Sequence, residues 1–124
     1  MKFQALPALP YNIPSEVLAK ASKIKLALFD VDGVLTDGRL HYGENGEQIK
    51  SFNALDGHGL KMLQLAGVEV GVISARESAP LKRRLQDLGV RHQHLGVADK
   101  LSVFEQLRNS LELATDQILS LIHI

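Results

Sequence analysis

Residues 26–38 read "LALFDVDGVLTDG". The apolar run, which begins at Ile24, goes straight into Asp30 and Asp32, with Gly33 behind them. A continuous apolar run bounded by turn residues is the pattern of a strand covered on both faces, as in a parallel sheet. Two acids so close repel each other unless a cation or a proton lies between them. A strand's period of two aims residues i and i+2 at the same side, so Asp30 and Asp32 can converge on one point. One acid, kept ionised, can then act as nucleophile and metal ligand while the other holds a proton for a leaving group. Gly33 allows a substrate to come close to backbone N–H groups, which bind anionic oxygens. Taken alone, D-x-D-G also reads as a strand ending in a solvated turn. A calcium-binding EF-hand loop does not fit. Counted from Asp30, the sixth position is Leu35 where glycine is needed, and the twelfth is His41 where glutamate is needed.

Outward from this stretch, strands and helices alternate. "RLHYGENGEQIKSF" gives two short segments around Asn45-Gly46, a hairpin signal. "GLKMLQLA" predicts a helix from Gly59 to Ala66, closed by Gly67. "VEVGVIS" predicts a second strand, and "SAPLKRRLQDLG" a helix between Ser78 and Gly89. "VRHQHL" predicts a short third strand. "DKLSVFEQLRNSLEL" predicts a helix with Leu101, Phe104, Leu107 and Leu111 on one stripe. Upstream, a proline-bearing arm over 1–14 precedes a short helix from about Ser15 to Ser22. The alternation predicts a three-layer, Rossmann-like α/β fold with a mainly parallel sheet and a small β-hairpin after the first strand. Ligands in such folds bind beyond the carboxyl ends of the strands, which is where Asp30 and Asp32 stand.

Composition narrows the function classes. A length of 124 residues allows one domain. Fourteen basic and fourteen acidic residues cancel, so no global positive field suits nucleic acid or an anionic membrane. The absence of cysteine removes disulfides, thiolate zinc sites and a cysteine nucleophile. No run approaches the ~20 apolar residues of a membrane helix, and the start lacks the apolar core of a signal peptide. The expected compartment is the cytoplasm.

Three later features bear on the acidic pair. "VISAR" ends the second strand with Ser74 and Arg76, a hydroxyl and a guanidinium suited to phosphate or carboxylate. "ADK" places Lys100 at the start of the last helix. A carboxylate, a hydroxyl and a lysine would thus surround one phosphate-sized space. Singly, Ser74 also reads as a turn or cap residue and Lys100 as a solvated charge. His92 and His94 share strand spacing, but with no further ligand nearby they read as a half-exposed edge strand and not as a metal site. In the hairpin, Leu40, Tyr42, Ile49 and Phe52 offer apolar surface that a lone hairpin cannot bury, leaving its own core or a second copy to cover it.

The order D-V-D-G-V, then I-S-A-R, then a lone lysine resembles the haloacid dehalogenase-like phosphohydrolases. The longer set "FDVDGVLTDG…GENGEQIKSFNALDGHGLK…VISAR…ADK", covering roughly Ile24 to Leu113, resembles their 3-deoxy-D-manno-octulosonate 8-phosphate phosphatase subfamily. The resemblance implies hydrolysis of a sugar-acid phosphate in lipopolysaccharide precursor synthesis, with no large cap domain. Asp30 would attack phosphorus and become a transient aspartyl phosphate. Asp32 would protonate the departing oxygen and then activate water. Mg²⁺ would be held by the Asp30 carboxylate and the Asp32 backbone carbonyl, Ser74 would bind a phosphate oxygen, and Lys100 would offset charge. Asn53, Asp56, Gly57, Lys61, Arg76 and Arg84 match positions that would hold the sugar acid, although Lys61 and Arg84 also read as routine solvated helix residues. The hairpin over 38–52 would meet neighbouring subunits of a homotetramer. Two alternatives stand beside this: a phosphatase for another nine-carbon sugar acid, and a non-catalytic assembly or regulatory domain of the kind attached to some sialic acid cytidylyltransferases.

The pattern breaks at the carboxyl end. The family calls for Gly-Asp-Asp-x-x-Asp after a fourth strand, and the metal-binding aspartate would fall near His123 or Ile124. Here a strand beginning at "TDQI" runs into "LSLIHI", which resembles a translated DNA-library adapter. Residues 15–118 therefore read as an incomplete phosphatase core with little activity of its own. Residues 119–124 read as a tail foreign to the natural protein, apolar enough to occupy the fourth strand's place.

Overall fold

The computed structural model describes residues 12–122. Residues 1–11 of the expected arm, and His123 and Ile124 where the family's metal aspartate would fall, lie outside it. In chain order the described residues form α1 (Ser15–Ser22), β1 (Leu26–Phe29), β2 (His41–Gly43), β3 (Gly46–Ile49), α2 (Ala54–Leu65), β4 (Glu69–Ile73), α3 (Ala79–Asp87), β5 (His92–His94), α4 (Lys100–Ser110) and β6 (Ile118–Leu121).

All four residues of β1 are buried, as an apolar run in a parallel sheet should be. The sheet order is β5-β4-β1-β6, with every pairing parallel. Alternation along the strands sorts the core into two layers. Ala27, Phe29, Val70 and Val72 pack with Leu60 of α2 and Leu81 and Leu85 of α3. Leu26, Leu28 and Ile73 pack on the opposite face with Leu107 of α4, joined by Phe104 and Ile118. Gly71 of β4 leaves the room that Leu28 fills. A Cβ there would stand 2.6 Å from Leu28 Cδ2. The three-layer α/β expectation holds, and β2 and β3 form a separate antiparallel hairpin between β1 and α2.

Three expectations shift, and one, the place of the apolar tail, holds. The first long helix begins at Ala54 and not at Gly59, because Asn53 caps it by accepting from the Leu55 N–H at 2.8 Å. The fourth strand begins at Ile118, since Thr115–Gln117 forms a 3₁₀ turn. Leu119, Ser120 and Leu121, read as tail, pair with Ala27, Leu28 and Phe29, so the apolar segment does take the fourth strand's place. Leu101 is 52% exposed instead of lying on the buried stripe of α4. That first turn directs Lys100 inward, and the next residue points about 100° away. His92 and His94 sit half-buried on edge strand β5, and among the described residues no group of three or more His, Cys, Asp or Glu could hold a metal.

Candidate active site

Asp30 leaves the carboxyl end of β1, its N–H donating to the Leu121 carbonyl of β6 at 3.3 Å. Its Oδ1 accepts from the Val31 N–H at 2.7 Å. Its Oδ2 accepts from Lys100 Nζ, also at 2.7 Å, with both side chains less than one-fifth exposed. Lys100 is aimed by its place in the first turn of α4, where Asp99 caps the helix by accepting from the Ser102 N–H at 3.1 Å. A shielded, charge-assisted bond of this kind is among the stronger polar contacts.

The chain then turns tightly. The Val31 carbonyl accepts from the N–H groups of Val34, Leu35 and Thr36. Gly33 adopts φ +82° with open space where a Cβ would be, a backbone that favours glycine and leaves room for a substrate. Thr36 Oγ1 accepts from the N–H groups of Gly33 and Gly38, pinning the turn.

Asp32 meets two cations. Lys50 Nζ lies 2.7 Å from Oδ1, and Arg76 Nε lies 3.6 Å from Oδ2. The Lys50 contact has the distance of an ion pair without the angles of a hydrogen bond. Oδ1 is thereby a buried oxygen without a hydrogen-bond donor among the described residues. Lys50 also pairs with Glu47. Burial alone would push the Lys50 ammonium down, but Asp32 and Glu47 beside it more than reverse this and raise it above the ordinary lysine value. Arg76 donates to Tyr42 Oη at 2.7 Å, and this bond, with Asp32 adding to it, raises the guanidinium further.

Ser74 follows the last residue of β4, next to β1, and is 1% exposed. Its N–H donates to the His94 carbonyl at 2.9 Å and its Oγ accepts from the Arg76 N–H at 3.2 Å. The structure thus joins Asp30 with Lys100 and Asp32 with Arg76, with Ser74 at the same end of the sheet. Asn53, Gly57 and Arg84 form a second group at the start of α2. Arg84 lies over the Phe52 ring at 5.7 Å and donates to the Asn53 carbonyl at 3.4 Å. A Cβ on Gly57 would stand 2.2 Å from Arg84 Nη2, so glycine admits the guanidinium. Asn53 and Asp56 line a groove with Thr36 and Asp37, which continue from the acidic turn. Lys61 is exposed on α2. Sequence reasoning passed over Lys50 and Glu47. A lysine and a glutamate in a polar hairpin carry no mark of burial.

The donor set fits a hard divalent cation in part. Asp30 supplies carboxylate oxygens, whereas the buried Asp32 Oδ1 is already met by the Lys50 ammonium at 2.7 Å, which leaves the backbone carbonyl as the ligand Asp32 can offer. Mg²⁺ commonly keeps several waters and takes one or two carboxylates together with substrate phosphate.

No protein-family model matches the chain. The 3-deoxy-D-manno-octulosonate 8-phosphate phosphatase KdsC of Escherichia coli K12 is 37% identical over 106 residues, which are 86% of this chain and 56% of that protein. The chain therefore spans little more than half the length of this relative. The solved cobalt-bound deoxy-D-mannose-octulosonate 8-phosphate phosphatase of Haemophilus influenzae superposes with TM-score 0.78 at 44% identity, covering 82% of this chain and 59% of the other. The Moraxella catarrhalis 3-deoxy-D-manno-octulosonate 8-phosphate phosphatase, solved with magnesium, phosphate and KDO, gives TM-score 0.80 at 36% identity over 86% and 61% of the two chains. With its fold, its acidic turn and these likenesses agreeing, the chain belongs to the haloacid dehalogenase-like superfamily, in the branch of the 3-deoxy-D-manno-octulosonate 8-phosphate phosphatases.

Proposed function

We propose that this chain carries the nucleophile-bearing part of a Mg²⁺-dependent phosphomonoesterase that hydrolyses 3-deoxy-D-manno-octulosonate 8-phosphate in the cytoplasm. The observation that carries the reading is the Asp30–Lys100 pair at the mouth of the sheet, with a second acid two residues on. An Asp30 carboxylate oxygen bonds to phosphorus as the ester P–O bond breaks. The Asp32 carboxyl gives its proton to the departing sugar oxygen. Asp32 then takes a proton from water as the water oxygen bonds to phosphorus and the bond between Asp30 and phosphorus breaks. Phosphate leaves, and both acids are returned to their starting forms. Lys100 offsets the charge shared by Asp30 and the phosphoryl group, and Ser74 holds a phosphoryl oxygen. Mg²⁺, held by the Asp30 carboxylate and the Asp32 carbonyl, would supply further charge stabilisation.

Arg76 and the groove beside Asn53 and Asp56 would receive the sugar acid, whose carboxylate calls for a cation. The hairpin supports an oligomer, a tetramer in this proposal, because Tyr42 and Ile49 stand about two-thirds exposed on this chain.

The test uses the product of the complete reading frame, stripped of metal. Phosphate release from the 8-phosphate should require added Mg²⁺ and should fall more than ~10³-fold in Asp30→Asn. Turnover that survives this substitution removes the aspartyl-phosphate reading. Preference for a nine-carbon sugar-acid phosphate would reassign the substrate.

A further inference from the structure

Lys50 lies just past β3, at the point where the hairpin returns to the domain, and its side chain is 1% exposed. An ammonium is buried at this cost only where it is paired. Its partners are Glu47 of the same hairpin and Asp32 Oδ1. The other strand of the hairpin reaches the same acid from the opposite side, since Tyr42 of β2 holds Arg76, and Arg76 lies beside Asp32 Oδ2. Each oxygen of Asp32 thus faces a cation that the hairpin fixes in place. Fold stability would often be served as well by apolar residues in place of both partners, so stability alone does not account for a charged pair here. Proton transfer does call for one. A general acid must stay within hydrogen-bond reach of the atom it serves, and a carboxylate on a turn has two free torsions.

We propose that Lys50, held by Glu47, is a positioning residue that fixes the Asp32 side chain in the orientation from which it gives and takes its proton. The hairpin then acts on the chemistry of its own subunit, in addition to any contact with a second copy. This inference rests on the phosphatase reading above.

The test compares kcat/KM for two esters in the product of the complete reading frame. A sugar phosphate releases an alkoxide that needs a proton, whereas p-nitrophenyl phosphate releases a phenolate that does not. Because kcat/KM reports steps only up to alcohol release, the ratio of the two isolates protonation from the later attack of water. Asp32→Asn should lower the sugar-to-aryl ratio by ~10²-fold or more. Lys50→Met should lower it by about tenfold or more, Glu47→Gln by less, and Lys50→Arg should restore most of it. Lys50→Met added to Asp32→Asn should change the ratio no further, the signature of two residues acting through one. A ratio within about twofold of wild type in both Lys50→Met and Glu47→Gln overturns the inference, whatever happens to absolute activity. Should Lys50→Met fail to fold, Glu47→Gln decides by the same ratio, and a value within about twofold of wild type overturns the inference. Activity in Asp30→Asn, or no split in Asp32→Asn, would instead overturn the roles given above to Asp30 as nucleophile and Asp32 as proton donor, and take this inference with it.

Discussion

Lys20, Lys23, Lys25, Lys61 and Lys82 are exposed, whereas Lys50 is buried and Lys100 half-buried. Both inward lysines end on an aspartate of the same turn. Such a residue carries stability as well as chemistry. Removing one partner of a buried pair strands the other, so Lys50→Met should cost about 3 kcal/mol in urea unfolding at pH 7. The pH dependence has a defined sign. The Lys50 pKa is raised above the ordinary 10.5 in the folded state, so the pair's contribution is full below pH 10.5 and is lost as pH climbs through the raised value. The gap between wild type and Lys50→Met should therefore stay constant from neutral to mildly alkaline pH and narrow only beyond that. A gap already closing near neutrality would contradict the ion pair. The apolar run placed Asp30 and Asp32 at the strand's mouth, but the strand ends at Phe29 and Asp32 stands in the turn beyond it, where a period of two no longer aims side chains. Sequence spacing gave no hint of Lys50, whose burial depends on how the hairpin folds back.

At the scale of elements, β1 and β4 were legible because their apolar runs admit one environment, an interior covered on both faces. The start of α2 was not. "NALDGHGL" carries two glycines, which are weak helix formers, and propensity alone delays the helix to Gly59. The Asn53 side chain outweighs them by satisfying the Leu55 N–H. Asn53→Ala should consequently lower stability by about 1 kcal/mol, while Asn53→Ser retains most of it. Were the helix to begin at Gly59, the substitution would cost nothing, so chemical denaturation separates the two boundaries. The same cap shapes the second group of candidate residues, since the Asn53 carbonyl receives Arg84 and Gly57 leaves it room. Arg84 could be picked from its position as a cation, but its resting place over Phe52 depends on a glycine in a different helix.

For the molecule as a whole, β6 decides whether β1 is an inner strand or an edge. Its ladder runs from Leu26↔Ile118 to Phe29↔Leu121, and the Leu121 carbonyl accepts from the Asp30 N–H. The strand's inward surface is slight. Ile118 and Ile122 pack on the core, whereas Leu119 and Leu121 are 45% and 48% exposed. Backbone pairing asks little of side-chain identity, so an apolar sequence of almost any origin with a residue to pack at each end could fill this place. In this 124-residue chain, Leu119→Thr with Leu121→Thr should therefore cost less than about 1 kcal/mol, because threonine keeps strand propensity and little burial is lost. Ile118→Ala should cost about 2 kcal/mol, since it opens the layer shared with Leu26 and Leu107. Ending the chain at Gln117 should cost more than either, because it unpairs the strand that carries Asp30 and exposes its edge to association with other chains. Urea midpoints and light scattering across these variants test the order. If the paired threonines prove more damaging than Ile118→Ala, the strand is held by its outward face, and a surface beyond the described core must be covering it.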